Sequence, residues 1–155
     1  MPTPELLQGL ATRFSATPFA LGVAVPGASL LEAARALRDA YGYRYYVLGT
    51  GIDLDATFEV AHALRNLETN DTLFLKVAVP KDAAEVDSIA FVFAGAEWHE
   101  REIWDLLGVT FKAHPDLRRI LMPDDYLGHP LRKSFAMDTP WGYRPATAAP
   151  AGGGS

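Results

Sequence analysis

The sequence predicts an α+β fold, in which a mixed β-sheet carries helices on one face and is followed by an extended C-terminal segment. Its 155 residues are 49% apolar and 21% charged, an ordinary balance for one globular domain. Helical and strand-like patterns follow one another along residues 1–120 without strict alternation, which favours a compact α+β domain. From His114 onward the chain contains six prolines, which interrupt helices and favour extended backbone.

Apolar spacing predicts two helices in the first 40 residues. Leucine and phenylalanine line one face of residues 5–14 at helical spacing, so we predict a helix there. Residues 20–25 are short, β-prone and followed by Pro-Gly, which predicts a strand and a turn. Ser29, with Glu32 three residues later, is typical of a capping box and predicts a second helix from Ser29 to about Ala40.

The middle of the chain predicts several strands and one further helix. Aromatic and β-branched residues favour strands at 43–48, 73–79 and 88–93. By pattern alone, residues 57–67 fit a strand or a helix. A helix over residues 96–107 is predicted to end at Gly108, because glycine readily adopts the left-handed conformation that ends helices.

The C-terminal part is predicted to divide in two. Residues 121–145 are typical of an extended segment that docks on a partner, with Trp141 and Tyr143 as candidate aromatic anchors. These two aromatics could instead fold back on their own domain. Residues 146–155 contain only alanine, proline, glycine, threonine and serine, so we predict a disordered tail.

Composition excludes several classes of function. A formal net charge of -5 is unsuited to a nucleic-acid phosphate backbone. The absence of cysteine excludes disulfides, thiolate zinc sites, cysteine-ligated iron–sulfur clusters and a cysteine nucleophile. No apolar run approaches the ~18 residues that span a bilayer, and the N-terminus does not resemble a signal peptide. We therefore expect a cytoplasmic protein whose membrane association comes only through partners.

Charged residues concentrate between positions 97 and 133. This stretch holds 13 of the 33 charged side chains, seven acidic and six basic. Such balance predicts paired charges, and the alternative is a solvated helix followed by a charged loop.

On the predicted helix over residues 96–107, two of these charge pairs can be assigned to particular residues. At 100° per residue, Arg101 and Asp105 fall together on one side as an i, i+4 pair. Glu100 falls on the apolar side, where a bare carboxylate would be costly. We therefore predict that Glu100 pairs with an arginine from one of the nearest basic pairs, Arg118-Arg119 or Arg132-Lys133.

The same stretch carries a long composite motif. It consists of Glu100-Arg101-Glu102-Ile103-Trp104-Asp105-Leu106-Leu107-Gly108, then Phe111, His114-Pro115-Asp116-Leu117-Arg118-Arg119-Ile120-Leu121, Asp124-Asp125-Tyr126 and Gly128-His129-Pro130-Leu131-Arg132-Lys133. In order and spacing the motif resembles the C-subunit family of respiratory complex I, the NADH:quinone oxidoreductase. The resemblance is strong over residues 88–135 and looser over residues 20–80. One departure is Lys112-Ala113, which replaces a commoner glycine before the histidine.

The resemblance implies a non-catalytic scaffold in the hydrophilic arm of a proton-pumping complex. The implied partners are the subunits that form the quinone site and hold the terminal iron–sulfur cluster. The chain itself would bind no cofactor or metal, while NADH, FMN, iron–sulfur clusters and quinone belong to the assembled complex. The implied location is peripheral, on the cytoplasmic face of the cell membrane. The resemblance also favours a strand over residues 58–65.

The motif residues that the resemblance implies for an interface are mostly charged residues, glycines and prolines. They are Glu100, Arg101, Glu102, Asp105, Gly108, His114, Pro115, Asp116, Arg118, Arg119, Gly128, Pro130, Leu131, Arg132 and Lys133.

Two other functions remain as alternatives. The family resemblance extends to the equivalent subunit of membrane-bound hydrogenase-type complexes. A histidine-ligated metal hydrolase would use His99, Glu102, His114 and Asp116, but the helical zinc signature needs a histidine at position 103, which is isoleucine. A nucleotide site has little support, because Gly49-Thr50-Gly51 is too short for a dinucleotide-binding loop.

Overall fold

A computed structural model of the chain describes residues 1–135. Three helices and seven strands follow one another along these residues: α1 (Pro4–Phe14), β1 (Thr17–Phe19), β2 (Gly22–Val25), α2 (Leu30–Asp39), β3 (Tyr45–Asp53), β4 (Thr57–Asn66), β5 (Asp71–Pro80), β6 (Glu85–Asp87), α3 (Ala96–Leu107) and β7 (Thr110–Lys112). Short 3₁₀ turns occupy Gly27–Ser29 and Lys81–Ala83.

Five of the strands form one mixed sheet in the order β1-β2-β5-β4-β3. β2 and β5 run parallel, and the other neighbours run antiparallel. β4 lies between β3 and β5, so both of its edges are paired. This double pairing explains why residues 57–66 are a strand although the pattern of residues 57–67 also fits a helix. β6 and β7 form a separate parallel pair.

All three helices contribute to one hydrophobic core on a single face of the sheet. Alternate residues of the central strands supply the sheet side of this core, and they include Val23, Phe58, Val60, Leu64, Leu75 and Val77. The helices supply Leu10, Phe14, Leu30, Leu37, Ile103 and Leu107. The opposite face carries Leu48, Ile52, Glu59 and Lys76 and, within residues 1–135, has no helix over it. The predicted α+β class, with helices on one face of a mixed sheet, is confirmed.

Helix α3 packs unusually close to the edge strand β3. A Cβ atom at Gly51 would lie 2.5 Å from Leu107 Cδ1 and 3.0 Å from Ile103 Cγ2. A side chain at this position would therefore displace Leu107 and press on Ile103. The Gly49-Thr50-Gly51 run therefore serves helix–strand packing.

The strand predicted over residues 88–93 is wrong. These residues form a turn in which the amides of Val92 and Phe93 both bond the carbonyl of Ile89, at 2.9 and 2.8 Å. The strand of this region lies one step earlier, at Glu85–Asp87, and pairs with β7. The turn is joined to α3 by the Ser88 hydroxyl and the Ile89 amide, which both bond the side chain of Glu100.

The start of α2 also differs from the prediction. Ser29 makes no capping bond with its side chain, and α2 begins at Leu30 after the 3₁₀ turn Gly27–Ser29. The Ser29 amide bonds the Pro26 carbonyl at 2.9 Å, so the turn itself satisfies the amide that Glu32 was expected to cap. The short strand β1 was missed, because three residues with a central proline give no periodic signal.

Residues 113–135 contain no helix and no strand of the sheets and are folded mainly in turns and bends. The extended docking segment over residues 121–145 stays a prediction. The later part of the predicted docking segment, with Trp141 and Tyr143, lies outside the described residues. The predicted disordered tail over residues 146–155 lies outside them as well.

Ala113, at the start of this segment, has a left-handed backbone with φ of 57°. This conformation is unfavourable for alanine and costs glycine little. We expect Ala113→Gly to raise the free energy of unfolding by about 1 kcal/mol in a denaturant titration.

The matched control is Ala40→Gly at the end of α2, where φ is -98°. There glycine gains nothing from the backbone conformation and adds unfolded-state entropy, so the free energy of unfolding should fall. Destabilisation by both substitutions would contradict the assigned strain at Ala113.

Candidate functional site

The motif folds around Asp105, whose buried side chain projects from the last turn of α3. Asp105 Oδ2 accepts hydrogen bonds from three consecutive backbone amides, those of Ile120 at 3.1 Å, Leu121 at 2.8 Å and Met122 at 2.9 Å. Burial alone would raise the pKa of Asp105, but these donors and the Arg119 guanidinium hold it below its usual value. A single carboxylate thus fixes the C-terminal segment to α3.

Arg119 completes this attachment from the segment's side. Its Nη1 lies 2.5 Å from Asp105 Oδ1, and its Nη2 donates to the carbonyls of Tyr126 at 2.8 Å and Gly128 at 3.1 Å. The guanidinium carbon also lies 5.8 Å from the Trp104 ring centre, within cation–π range. Arg119 therefore holds α3 and both limbs of the 119–128 loop together.

Arg101 also points into the chain, and its predicted pair with Asp105 is wrong. Arg101 Nε and Nη2 donate to the carbonyls of Arg118 at 3.2 Å and Arg119 at 3.4 Å. Both members of the predicted pair are buried and take partners from the C-terminal segment. Helical spacing placed them correctly relative to each other, but the segment packs over that side of the helix.

The end of α3 forms a second attachment point. Arg132 Nε donates to the Leu107 carbonyl at 2.6 Å, and His129 Nδ1 donates to the Asp105 carbonyl at 2.9 Å. Gly108 ends the helix with φ of 75°, as predicted. A Cβ at this position would lie 2.4 Å from Arg132 Nη2, so backbone conformation and space both require glycine.

The segment then crosses the end of β3. The Leu131 amide bonds the Leu106 carbonyl at 3.0 Å, and the Lys133 amide bonds Asp53 Oδ2 at 2.7 Å. Asp53 also pairs with Lys81. No sequence pattern pointed to a role for Asp53, because its contact with Lys133 joins positions 80 residues apart.

Glu100 is buried as predicted, but its predicted arginine partner is wrong. Glu100 Oε2 accepts from the Ser88 hydroxyl at 2.5 Å, and Oε1 accepts from the Ile89 amide at 2.8 Å. Burial raises the pKa of Glu100 to about 7 against these two donors. The arginines of the two basic pairs are held elsewhere, mostly at Asp105 and at the end of α3.

His114 sits beside Glu100 without serving as its counter-ion. His114 Nε2 lies 3.0 Å from the Glu97 carbonyl and 3.9 Å from Glu100 Oε2. Its Nδ1 accepts the Asp116 amide at 3.0 Å, so that nitrogen carries no proton and Nε2 is the donor. Both ring nitrogens have backbone partners, which leaves neither free for a metal.

The fifteen motif residues thus separate into an inner and an outer group. The inner group comprises Glu100, Arg101, Asp105, Gly108, His114, Arg119 and Arg132 and joins α3 to the segments around it. The outer group contains the exposed residues Glu102, Pro115, Asp116, Arg118, Gly128, Leu131 and Lys133 and the partly exposed Pro130. Asp116 and Arg118 pair with each other at 2.7 Å.

Sequence reasoning missed a second buried polar contact behind α3. His62 on β4 is fully buried, and its Nδ1 lies 3.0 Å from the Tyr46 hydroxyl. Burial, with a smaller contribution from nearby His99, lowers the pKa of His62 to about 3. The sequence could have indicated the burial of His62, because His62 lies on the same face of the strand as buried residues such as Val60 and Leu64.

Residues 1–135 show neither a membrane span nor a metal-binding cluster. No helix in this range is long and apolar enough to cross a bilayer. The same range contains no group of three or more histidine, cysteine or acidic side chains arranged to hold a metal ion.

We expect Glu100→Gln to change the pH dependence of stability. Between pH 4.5 and about 7 the folded chain retains a proton on Glu100 that the unfolded chain releases. The parent should therefore lose roughly 3 kcal/mol relative to the glutamine variant as pH rises through this window. Denaturant titrations of both proteins at several pH values measure the difference. Because both contain His62, its opposite pH dependence cancels, and a difference that is constant with pH would refute the assignment.

We expect Arg119→Ala to destabilise the chain by about 2–4 kcal/mol, because it leaves buried Asp105 without its charged partner. Arg118→Ala is the matched control, since the Arg118 side chain is 70% exposed and that of Arg119 is 13% exposed. The control should change stability by less than about 0.5 kcal/mol. Equal effects in thermal or denaturant unfolding would contradict the division into inner and outer groups.

Comparison with known proteins identifies the family of this chain. The family described as the 30 kDa subunit of respiratory-chain NADH dehydrogenase matches residues 23–140. The C subunit of the NADH-quinone oxidoreductase from Geobacter metallireducens is 37% identical over 122 residues, which cover 76% of this chain and 75% of the relative. The C/D subunit of the same type of oxidoreductase from Escherichia coli O6:K15:H31 is 45% identical over 80 residues, covering 52% of this chain and 13% of that longer protein.

Two solved structures share the fold. The trypsin-resistant fragment of Nqo5 matches with a TM-score of 0.62 and 26% identity, over 73% of this chain and 97% of that chain. A chain of the archaeal membrane-bound sulfane sulfur reductase matches with a TM-score of 0.72 over 86% of this chain and 85% of its own, and at 20% identity it shows likeness of fold alone. From the match over residues 23–140 and the Geobacter relative, the chain belongs to the family of the 30 kDa subunit of respiratory-chain NADH dehydrogenase, whose bacterial members are named as the C subunit of NADH-quinone oxidoreductase.

Proposed function

We propose that this chain is a non-catalytic scaffold subunit in the hydrophilic arm of a proton-pumping NADH:quinone oxidoreductase. It docks onto the subunits that form the quinone site and hold the terminal iron–sulfur cluster. NADH, FMN, iron–sulfur clusters and quinone are bound by other subunits. The chain lies peripherally on the cytoplasmic face of the cell membrane and is attached to it through the complex.

The observation that carries the proposal is the outward face of the attached C-terminal segment. Leu121, Leu127 and Leu131 are all exposed, although the backbone around them is fixed to α3. Apolar side chains held in a defined arrangement lose little conformational entropy when a partner covers them. Such a surface is typical of the central part of a protein–protein interface.

The inner motif residues support the same role. Asp105 and Arg119 use their hydrogen-bonding capacity within the chain, so neither is free to act on a substrate. His114 is held by the backbone on both sides. The 155 residues also contain no cysteine thiolate that could ligate a cluster. These features support a structural function within a larger redox assembly.

A pull-down of the full chain from native membranes tests the proposal. With an affinity tag after Ser155, the captured proteins should include flavin, iron–sulfur and quinone-site subunits, identified by mass spectrometry. Capture of hydrogenase subunits would assign the chain to the alternative complex. A chain that is recovered alone would refute the scaffold function.

We expect the double substitution Leu121→Ser and Leu127→Ser to reduce the recovered complex by roughly tenfold or more, because two buried leucines contribute well over ~1.4 kcal/mol to an interface. The purified variant should keep the parent's unfolding midpoint, since both side chains are exposed in the chain alone. Leu67→Ser, at an exposed position beside the turn between β4 and β5, is the control and should leave recovery unchanged. Parent-level recovery of the double variant would exclude these leucines from the interface.

A further inference from the structure

The two edges of the five-stranded sheet differ in how they are protected. β1 closes one edge with three residues, and its central Pro18 has no amide hydrogen to offer a neighbouring strand. β3 forms the other edge with nine residues and pairs only with β4 within the described part of the chain. Natural sheets usually blunt a long edge with charges, prolines or short strands. β3 has no proline, and residues 45–52 carry no charge.

The side chains along this edge are unusually apolar for a surface strand. Tyr45, Val47, Leu48 and Ile52 are all exposed. A β-bulge near Val47 interrupts the register with β4, but the strand continues regularly from Leu48 to Asp53. A long, uncharged and apolar edge is a template for pairing with another strand. The edge is therefore a candidate site for an added strand.

The helix side of the edge is bordered by α3, whose Ile103 and Leu107 pack over Gly51. A small groove at this border is lined by Thr50, Glu102, Leu106 and Leu131. In an added strand, alternate side chains would lie beside α3 near Glu102 and Leu131, and the others would lie beside Leu48 and Ile52 on the helix-free face. The edge therefore provides backbone hydrogen bonds and apolar contacts on both faces.

The charge in the groove indicates the chemistry of the occupant. Glu102 is exposed and makes no ion pair with any residue in the range 1–135. A second copy of this chain, paired antiparallel edge to edge, would bring its own Glu102 to the same side of the joined sheet and repel the first. The residues that follow Phe135 include Pro140, Pro145 and Pro150, which cannot donate to a ladder. Pairing with a second copy and pairing with the chain's own C-terminal residues are thus both disfavoured.

We propose that the open edge of β3 receives an extended, apolar segment of a neighbouring subunit, with a basic side chain directed at Glu102, as a sixth strand of the sheet. This inference rests on the proposed function, because the neighbour is another subunit of the same complex. The interface is then two-sided, with the attached leucine segment and the sheet edge meeting at Leu131.

Amide hydrogen exchange tests the added strand directly, by comparison of the full chain alone with the full chain in the purified complex. Peptides over residues 46–52 should exchange roughly tenfold more slowly in the complex, because the outward amides of β3 become bonded there. Peptides over residues 17–19, on the protected edge, should change little and control for general stabilisation. Equal exchange of β3 in the two states would overturn the proposal.

The substitution Ile52→Lys supplies a second test, since a charge at this edge opposes strand addition. Recovery of the complex should fall roughly tenfold, while the purified variant keeps its unfolding midpoint because Ile52 is 44% exposed. Leu21→Lys, 41% exposed beside the short edge, is the matched control and should assemble like the parent. Unchanged recovery with Ile52→Lys would overturn the added strand and leave the scaffold function intact, whereas a parent that recovers no subunits refutes the scaffold function itself.

A photo-activated cross-linker in place of Thr50 identifies the occupant. A cross-link to a co-purified oxidoreductase subunit supports the proposal. A cross-link to a second copy of the chain, to residues 136–155 or to nothing in the assembled complex would overturn it.

Discussion

The attachment of the C-terminal segment to α3 depends on the carboxylate of Asp105. A buried carboxylate without donors would be strongly destabilising, and here one oxygen receives three consecutive amides while the other receives a guanidinium. The helix presents this acid in its last turn, and the segment bends at Ile120 where its amides meet the carboxylate. Arg119 with the 126–128 carbonyls and Arg132 with the end of α3 extend the attachment along the segment.

The same attachment determines which motif residues can meet a partner. Some charges that look suited to an interface in the sequence are held inside the chain, because α3 and an irregular segment have many backbone groups to satisfy. The surface that remains combines the exposed Leu121, Leu127 and Leu131 with exposed charges such as Glu102 and Lys133. The inner charges of the motif thus fix an outer surface that is both apolar and charged.

The core contains two ionisable groups that burial drives toward neutrality by opposite routes. Burial raises the pKa of Glu100, which favours its protonated form, and lowers the pKa of His62, which favours its neutral form. Each meets neutral partners, a serine hydroxyl and an amide for Glu100 and a tyrosine hydroxyl for His62. In the weakly acidic range, a rise in pH lowers stability through Glu100 and raises it through His62. The two effects offset each other, so the stability of the chain changes less with pH than it would with either group alone.

Much of this protein was determined by the sequence itself. Helical periodicity located all three helices to within a few residues, and Gly108 marked the end of α3, because these signals are local. The composite motif identified the family, and the apolar side of α3 predicted that Glu100 is buried. Only the tertiary structure decided the partners. Arg101 and Asp105 had the spacing of a pair but bind the segment, and Glu100 binds Ser88 in a turn that sequence patterning assigned to a strand. β4 likewise became a strand because neighbours on both sides satisfied its backbone. Periodicity reports which side of an element is buried, but the group that meets a buried charge comes from a distant part of the chain, and its identity depends on packing.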